Sequence, residues 1–325
     1  MLNSKQGIIL VQIIVFLIVL FTVVSKGHVI ETDVVFCQVG DCYDAFETFF
    51  IDATHVRCAF YDLNPEIGSV FLNIPDAEII IERQNADKSL QADFIGYDGN
   101  SAAMHHKFCI VDFKKVLTGS TNPTHNGFSR NDNNIILLES EVVAAVFLEE
   151  YYNLRERARF EYDYEGGSFS IATMLQRLFQ SDSYMSQTHE IFFCPQHNCA
   201  GNLIQEIRNA QDSIYIATFA FTDMRIASEL ILAEQRGVVV KGVIERRGGS
   251  RMYTHLSEHG ITMFYDNHSG TMHHKYFVFD EHAVWSGSYN PSLNGNYRNN
   301  ENIVVIRDAL IASQFIEEWY RINKQ

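Results

Sequence analysis

The 325-residue chain carries a formal net charge of −15 and six cysteines. Its length can hold two modest domains or one large one. The acidic balance excludes a protein that relies on an overall basic surface to hold nucleic acid, because phosphate contacts dominate that affinity. It leaves open a locally basic cleft, whose own field matters more than the net value.

Residues 8–24 are almost wholly apolar, broken only by Gln12 and Thr22. That run is near the length that spans a bilayer. Lys5 precedes it, while Lys26 and His28 follow, then Glu31 and Asp33. This small bias favours a cytoplasmic N-terminus. Val23-Val24-Ser25 offers a weak cleavage site. Residues 1–28 are therefore expected to form a retained transmembrane helix, with a cleaved signal segment as the alternative. Either one places the rest of the chain outside the cytoplasm, membrane-anchored in the first case and secreted in the second.

Phe36-Cys37-x4-Cys42 recurs as Phe193-Cys194-x4-Cys199. Export permits both pairs to close as small disulfide loops, each worth ~2 kcal/mol on a chain-entropy estimate. A zinc site would need all four thiolates at one place, and the pairs stand far apart in the sequence. Cys58 and Cys109 fall in expected buried strands and read as unbridged core residues.

The strand expected around Val56 to Tyr61 is followed by only a short stretch before Glu78–Ile81, so a full helical crossover barely fits. Farther on, Ser213–Thr218, Ile226–Gln235 and Val238–Ile244 read as a β-α-β unit with parallel strands. Between them, residues 155–190 are polar and acidic and read as a linker, with one short helix near residues 171–179. Arg246-Arg247, with Arg251, is the basic cluster nearest the motifs described next. It reads either as a cleft rim or as an ordinary solvated loop.

The most specific signal is a duplicated motif. His105-His106-Lys107-Phe-Cys-Ile-Val-Asp112 recurs as His273-His274-Lys275-Tyr-Phe-Val-Phe-Asp280. In both copies six residues follow the Asp, and then come Gly119-Ser120-Thr121-Asn122 and Gly287-Ser288-Tyr289-Asn290. Further matches extend the repeat: Asn134-Ile-Ile-Leu-Leu138 with Asn302-Ile-Val-Val-Ile306, and Glu149-Glu150-Tyr151-Tyr152 with Glu317-Glu318-Trp319-Tyr320. Such self-similarity implies two related lobes. Within each motif, His and Lys two apart in a strand share a face. The apolar run after the Lys reads as a buried strand, the Asp begins a turn, and the returning strand brings Ser and Asn back beside His and Lys. Each copy is thus a hairpin displaying a phosphate-sized polar cluster. His106 and His274 would point to the opposite face, as packing or supporting residues.

These motifs resemble the catalytic signature of the phospholipase D superfamily, His-x-Lys-x4-Asp-x6-Gly-Ser-x-x-Asn in its commonest description. Here the Asn lies two residues after the Ser, the form of the small nuclease-like members. The resemblance implies an α/β protein of two pseudo-twofold-related phospholipase D-like lobes, each a mixed β-sheet flanked by helices, following the N-terminal transmembrane helix. The expected lobes are residues 29–154 and 191–325. It also implies one active site between the lobes, no metal and no cofactor, and a monomeric catalytic unit, because both motifs are in one chain.

The implied reaction is a two-step displacement in which one His attacks phosphorus and the other protonates the leaving alcohol. His105, Lys107, Asn122, His273, Lys275, Asn290 and Glu301 are the expected catalytic residues. Asp112, Ser120, Asn133, Asp280 and Ser288 are expected in support. In the family, a carboxylate near the position of Glu301 hydrogen-bonds the His of its own lobe, and the first lobe carries Asn133 there. A carboxylate raises an imidazole's pKa more than an amide does. The expectation is therefore that Glu301 backs His273 as the acid and leaves His105 as the neutral nucleophile. The alternative is that Glu301 sharpens His273 as the nucleophile, and Asp132 is a competing carboxylate in the first lobe.

The expected function is hydrolysis of a phospholipid head-group ester beside the bilayer that residues 8–24 would enter. The alternatives are a metal-independent nuclease of the same superfamily and a catalytically inert phosphate-binding module.

Overall fold

The structure, a computed structural model, describes residues 30–85, 92–160, 184–186 and 188–324. The apolar segment 8–24 and the helix expected near residues 171–179 lie outside them. Among the described residues no helix is long and apolar enough to cross a membrane.

The chain builds two eight-stranded mixed sheets. The first contains β1 (Glu31–Phe36), β2 (His55–Phe60), β3 (Asp76–Ile81), β4 (Ile95–Tyr97), β5 (Lys107–Val111), β6 (Lys115–Gly119), β7 (Asn134–Glu139) and β8 (Arg159–Phe160). The second contains β9 (Tyr184–Met185), β10 (His189–Cys194), β11 (Ser213–Thr218), β12 (Val239–Ile244), β13 (Thr262–Tyr265), β14 (Lys275–Phe279), β15 (Ala283–Gly287) and β16 (Glu301–Arg307). The orders are β1-β7-β6-β5-β2-β3-β4-β8 and β13-β12-β11-β14-β15-β16-β10-β9. Seven strands correspond one to one. The other two, β8 and β9, lie at the ends of the stretch read as linker and pair as edge strands on β4 and β10.

The parallel crossovers differ as the sequence suggests. Between β11 and β12 runs a three-turn helix, α6 (Met224–Gln235). Between β2 and β3 there is only a four-residue helix, α2 (Pro65–Gly68), and a 3-10 turn. The other helices are α1 (Cys42–Phe49), α3 (His125–Ser129), α4 (Glu141–Arg155), α5 (Cys199–Asn209), α7 (Arg246–Glu258), α8 (Leu293–Tyr297) and α9 (Ala309–Lys324).

Helices α4 and α9 are sandwiched between the two sheets. Val143, Phe147, Tyr151 and Leu154 of α4 and Ile311, Phe315, Trp319 and Ile322 of α9 recur every three or four residues, which gives each helix a core-facing stripe. They join Phe108, Phe193, Tyr276 and Val304 in one core that both lobes share. Separate outer cores lie beyond each sheet, under α1 in the first lobe and under α5, α6 and α7 in the second. Burying one lobe's inner face therefore requires the other lobe.

Three disulfides are present: Cys37–Cys42, Cys194–Cys199 and Cys58–Cys109. The last corrects the reading of Cys58 and Cys109 as unbridged core residues. They are buried, but they also stand directly opposite each other on antiparallel β2 and β5. Such cross-strand register is not visible in one strand's own pattern. This bridge closes 51 residues of chain and the other two close five each. The chain-entropy estimate is about 4 kcal/mol for the long loop against about 2 kcal/mol for a short one. A Cys58→Ala/Cys109→Ala variant should accordingly lose more stability than Cys37→Ala/Cys42→Ala. Denaturant midpoints measured with the other bridges intact check the order.

Candidate active site

Both motifs form the hairpins expected of them, β5–β6 and β14–β15. The turns use positive φ at Asp112, Phe113, Asp280 and Glu281. Each motif Asp then ties its turn to the start of the neighbouring strand. Asp112 accepts N–H bonds from Thr54 and His55 at 3.0 and 2.9 Å, and Asp280 accepts from Gln211, Asp212 and Ser213. Both act on the scaffold and sit at the far end of the strand from the histidines. The motif glycines are required by close backbone approach: a Cβ at Gly119 or Gly287 would lie 2.3 or 2.2 Å from the carbonyl oxygen of Asn134 or Asn302.

Each catalytic-candidate histidine precedes its strand and is held by the other lobe. His105 donates its N–H to the Asn300 carbonyl and His273 to the Asp132 carbonyl, both at 2.9 Å. The side chains cross as well. His105 Nδ1 lies 2.8 Å from Glu301 Oε2, and His273 Nδ1 lies 3.0 Å from Asn133 Oδ1. This corrects the expectation that Glu301 backs the histidine of its own lobe. Residues 104 and 300 pair as a parallel bridge between the lobes, as do 132 and 272. Glu301 and Asn133, one residue beyond the bridged Asn300 and Asp132, therefore reach across the interface. Asp132 bonds neither motif imidazole; its carboxylate accepts from Arg321 and lies 3.7 Å from His268 Nδ1.

Ser120 and Ser288 hold these partners in place. Ser288 Oγ donates to Glu301 Oε2 at 2.6 Å, and Ser120 Oγ donates to Asn133 Oδ1 at 2.9 Å. Asn122 and Asn290 follow in the same loops, and the side-chain oxygen of each is buried with no hydrogen-bond partner among the described residues. Lys107 and Lys275 bond the carbonyls of His105 and His273 at 2.8 and 2.7 Å.

Burial dominates the electrostatics. It pushes the Lys107 ammonium down to about 7, and it lowers Lys275 well below the ordinary range, with Lys107 adding repulsion. Burial and then both lysines push His105 and His273 well below the usual imidazole value. The crossed contacts of His105 with Glu301 and of His273 with Asn133 bring both motifs to the interface between the lobes. Burial raises Glu301 to about 7 despite the opposing charge of Lys107. Burial thus disfavours the site's own positive charges, and a bound anion would restore them.

His106 and His274 are fully buried on the opposite side. His106 Nε2 lies 3.0 Å from Glu150, and His274 Nε2 lies 2.8 Å from Glu318. Their Nδ1 atoms meet Asn302 and Asn134, again from the opposite lobe. These four partners were not anticipated, although all of them lie in repeated sequence. Tyr61 and Phe219 were also missed. Their rings pack edge-on against His105 and His273, with centroids 4.6 and 5.0 Å apart, and lie beneath the two lysines. Each directly follows the matched strand β2 or β11, which was the available signal. Among the described residues no group of three or more His, Cys, Asp or Glu could hold a metal ion. Arg246-Arg247 opens α7 and does not form a loop, and that helix packs its Gly248 against the Phe219 carbonyl.

Comparison with known proteins gives the same class. Residues 76–155 and 203–322 match the family described as "Cardiolipin synthase, PLD-like domain". The chain belongs to the phospholipase D superfamily. It is 29% identical over 157 residues to a phospholipase D of Rickettsia prowazekii (strain Madrid E), covering 47% of this chain and 76% of that one. It is 30% identical over 124 residues to the mitochondrial cardiolipin hydrolase of Xenopus tropicalis, covering 37% of this chain and 59% of that protein. Among solved structures, phosphatidylserine synthase of Haemophilus influenzae Rd KW20 superposes with a TM-score of 0.66 at 12% identity, over 90% of this chain and 86% of that one. This last likeness concerns the fold alone.

Proposed function

We propose that the protein is a phosphodiesterase of the phospholipase D type that hydrolyses a phospholipid head-group ester through a phosphohistidine. The observation that carries the reading is the pair of imidazoles, His105 buried and His273 partly buried, each fixed at Nδ1 by the opposite lobe and each beside a buried lysine. In the first step, His105 Nε2 attacks phosphorus while Glu301 accepts the Nδ1–H, which keeps the lone pair on Nε2. The P–O bond to the head group breaks, and His273 Nε2–H delivers its proton to the departing oxygen. In the second step, neutral His273 takes a proton from water as that water attacks phosphorus. The P–N bond then breaks and His105 is regenerated. Lys107, Lys275 and the amides of Asn122 and Asn290 would stabilise charge on the non-bridging oxygens. The bound phosphodiester anion offsets the burial that otherwise keeps His273 neutral.

Lipid is favoured by the names of the similar proteins, phospholipase D and cardiolipin hydrolase, and by the net charge of −15. Residues 8–24 would hold the site beside a bilayer on the extracytoplasmic side. A nuclease reading draws support from Arg246, Arg247 and Arg251, which are exposed on a helix that packs against Phe219. The deciding experiment assays the purified protein on phosphatidylcholine vesicles and on single- and double-stranded DNA, with EDTA present throughout. Head-group release that persists in EDTA is expected, because the lysine pair supplies the cationic charge. Cleavage of DNA alone would replace the lipid reading with the nuclease reading. Complete loss in EDTA, restored by a divalent ion, would show that the charge on the transition state is balanced by a metal.

A further inference from the structure

The two halves of the site are copies, yet among the described residues only one carries an arginine–carboxylate bridge between the lobes. On the His273 side, Arg321 of α9 donates to both carboxylate oxygens of Glu318, at 2.6 and 2.7 Å, and to Asp132. Asp132 is fully buried and belongs to the first lobe. Its N–H donates to the Thr271 carbonyl and its own carbonyl accepts from the His273 N–H, each at 2.9 Å. Glu318 in turn holds His274, the next residue. One guanidinium therefore ties together Asp132, which fixes the backbone at residues 271 and 273, and Glu318, which holds the His274 ring.

The His105 side lacks this bridge. Asn300 takes the place of Asp132 and makes the same two backbone contacts, to Ala103 and His105. Its side-chain oxygen, however, is buried with no partner among the described residues. Asn153 takes the place of Arg321 and, together with Glu150 and Gln196, lines a cavity of about 160 Å³. Where the second lobe has a charged tie, the first has an opening.

We propose that Asp132 and Arg321 are positioning residues for the general acid. Neither needs to touch substrate. The bridge fixes the main chain at His273, Asn133 fixes its Nδ1, and together they set the direction of Nε2–H toward the departing oxygen. This inference rests on the reading of His273 as the proton donor. It goes beyond that reading by making the donor's alignment depend on an ion pair between the lobes. Displacements of about 1 Å can cost on the order of 10²-fold in rate, so loss of the bridge should be felt in the two proton transfers of His273 and little in the attack by His105.

The test uses one phosphatidyl group with two leaving groups, phosphatidyl-p-nitrophenol and phosphatidylcholine, in the same mixed micelles. p-Nitrophenolate departs without a proton, whereas choline's alkoxide does not. Arg321→Met and Asp132→Asn should lower kcat/KM, which reads the first step alone, by about 10- to 100-fold on phosphatidylcholine and by less than about threefold on the p-nitrophenyl ester. Arg321→Lys keeps the charge but not the planar fork and should fall between. Asp132→Asn installs the residue type that the other lobe carries at position 300, so the fold has a place for it. Partial unfolding would depress both substrates equally, which makes their ratio the informative quantity. Equal losses on both esters, or no loss on either, would overturn the proposal. His273→Ala is the reference: if it too fails to discriminate, the assignment of the acid has failed, and that result is distinct from selectivity in His273→Ala without selectivity in Arg321→Met.

Discussion

His105→Ala is expected to abolish turnover of every phosphodiester, by at least about four orders of magnitude, because no P–N bond can form without its Nε2. His273→Ala should behave differently. On an alkyl ester it should cost roughly 10²- to 10⁴-fold, the usual worth of a positioned general acid. On a p-nitrophenyl ester the first step should survive, and a burst of p-nitrophenol followed by slow turnover should appear, since water still lacks its base in the second step. Stopped-flow absorbance on both variants reads this directly. A burst from His105→Ala and none from His273→Ala would exchange the two roles.

Glu301→Gln should have the second-largest effect, and its sign follows from the interlobe contact. Burial raises Glu301 to about 7 and pushes His105 well below the ordinary imidazole range. Below pH 7 the pair therefore gains a proton on the carboxyl group. A protonated Glu301 would donate to His105 Nδ1 and leave the hydrogen on Nε2, the wrong tautomer for attack. Activity should rise with pH through about 7 on the acidic limb. Glu301→Gln removes that titration, so the acidic limb should move to lower pH while the plateau falls by on the order of 10²-fold. A kcat/KM profile of wild type and variant tests both parts. An acidic limb that stays in place in Glu301→Gln would sever Glu301 from the nucleophile's protonation. Loss of the carboxylate should also lower the two lysines that it helps keep protonated, which moves the alkaline limb down.

What was legible in the sequence was whatever repeats or alternates. The hairpins came from apolar runs ending in Asp, the lobes from the duplicated motif, and the trimmed first crossover from the shortness of the stretch before Glu78. Misread or unseen features depend on register between distant segments. Cys58 and Cys109 look like two separate core residues until β2 and β5 are paired. Glu301 looks like a partner of His273 because both lie in the second lobe. The bridge between residues 104 and 300 directs its side chain across the interface. Arg321 lies near the end of α9, 189 positions from Asp132, in a stretch where only the helical repeat was apparent. Tyr61 and Phe219 were within reach, since each occupies the position after a matched strand.

The most direct test of the account is an acid- or base-quenched reaction of the turning-over enzyme, followed by peptide mapping of phosphohistidine. The account predicts a phosphatidyl or phosphoryl adduct on the peptide containing His105, absent from His105→Ala and accumulating in His273→Ala with a p-nitrophenyl substrate. An adduct on His273, or steady turnover with no adduct on either histidine, would contradict it.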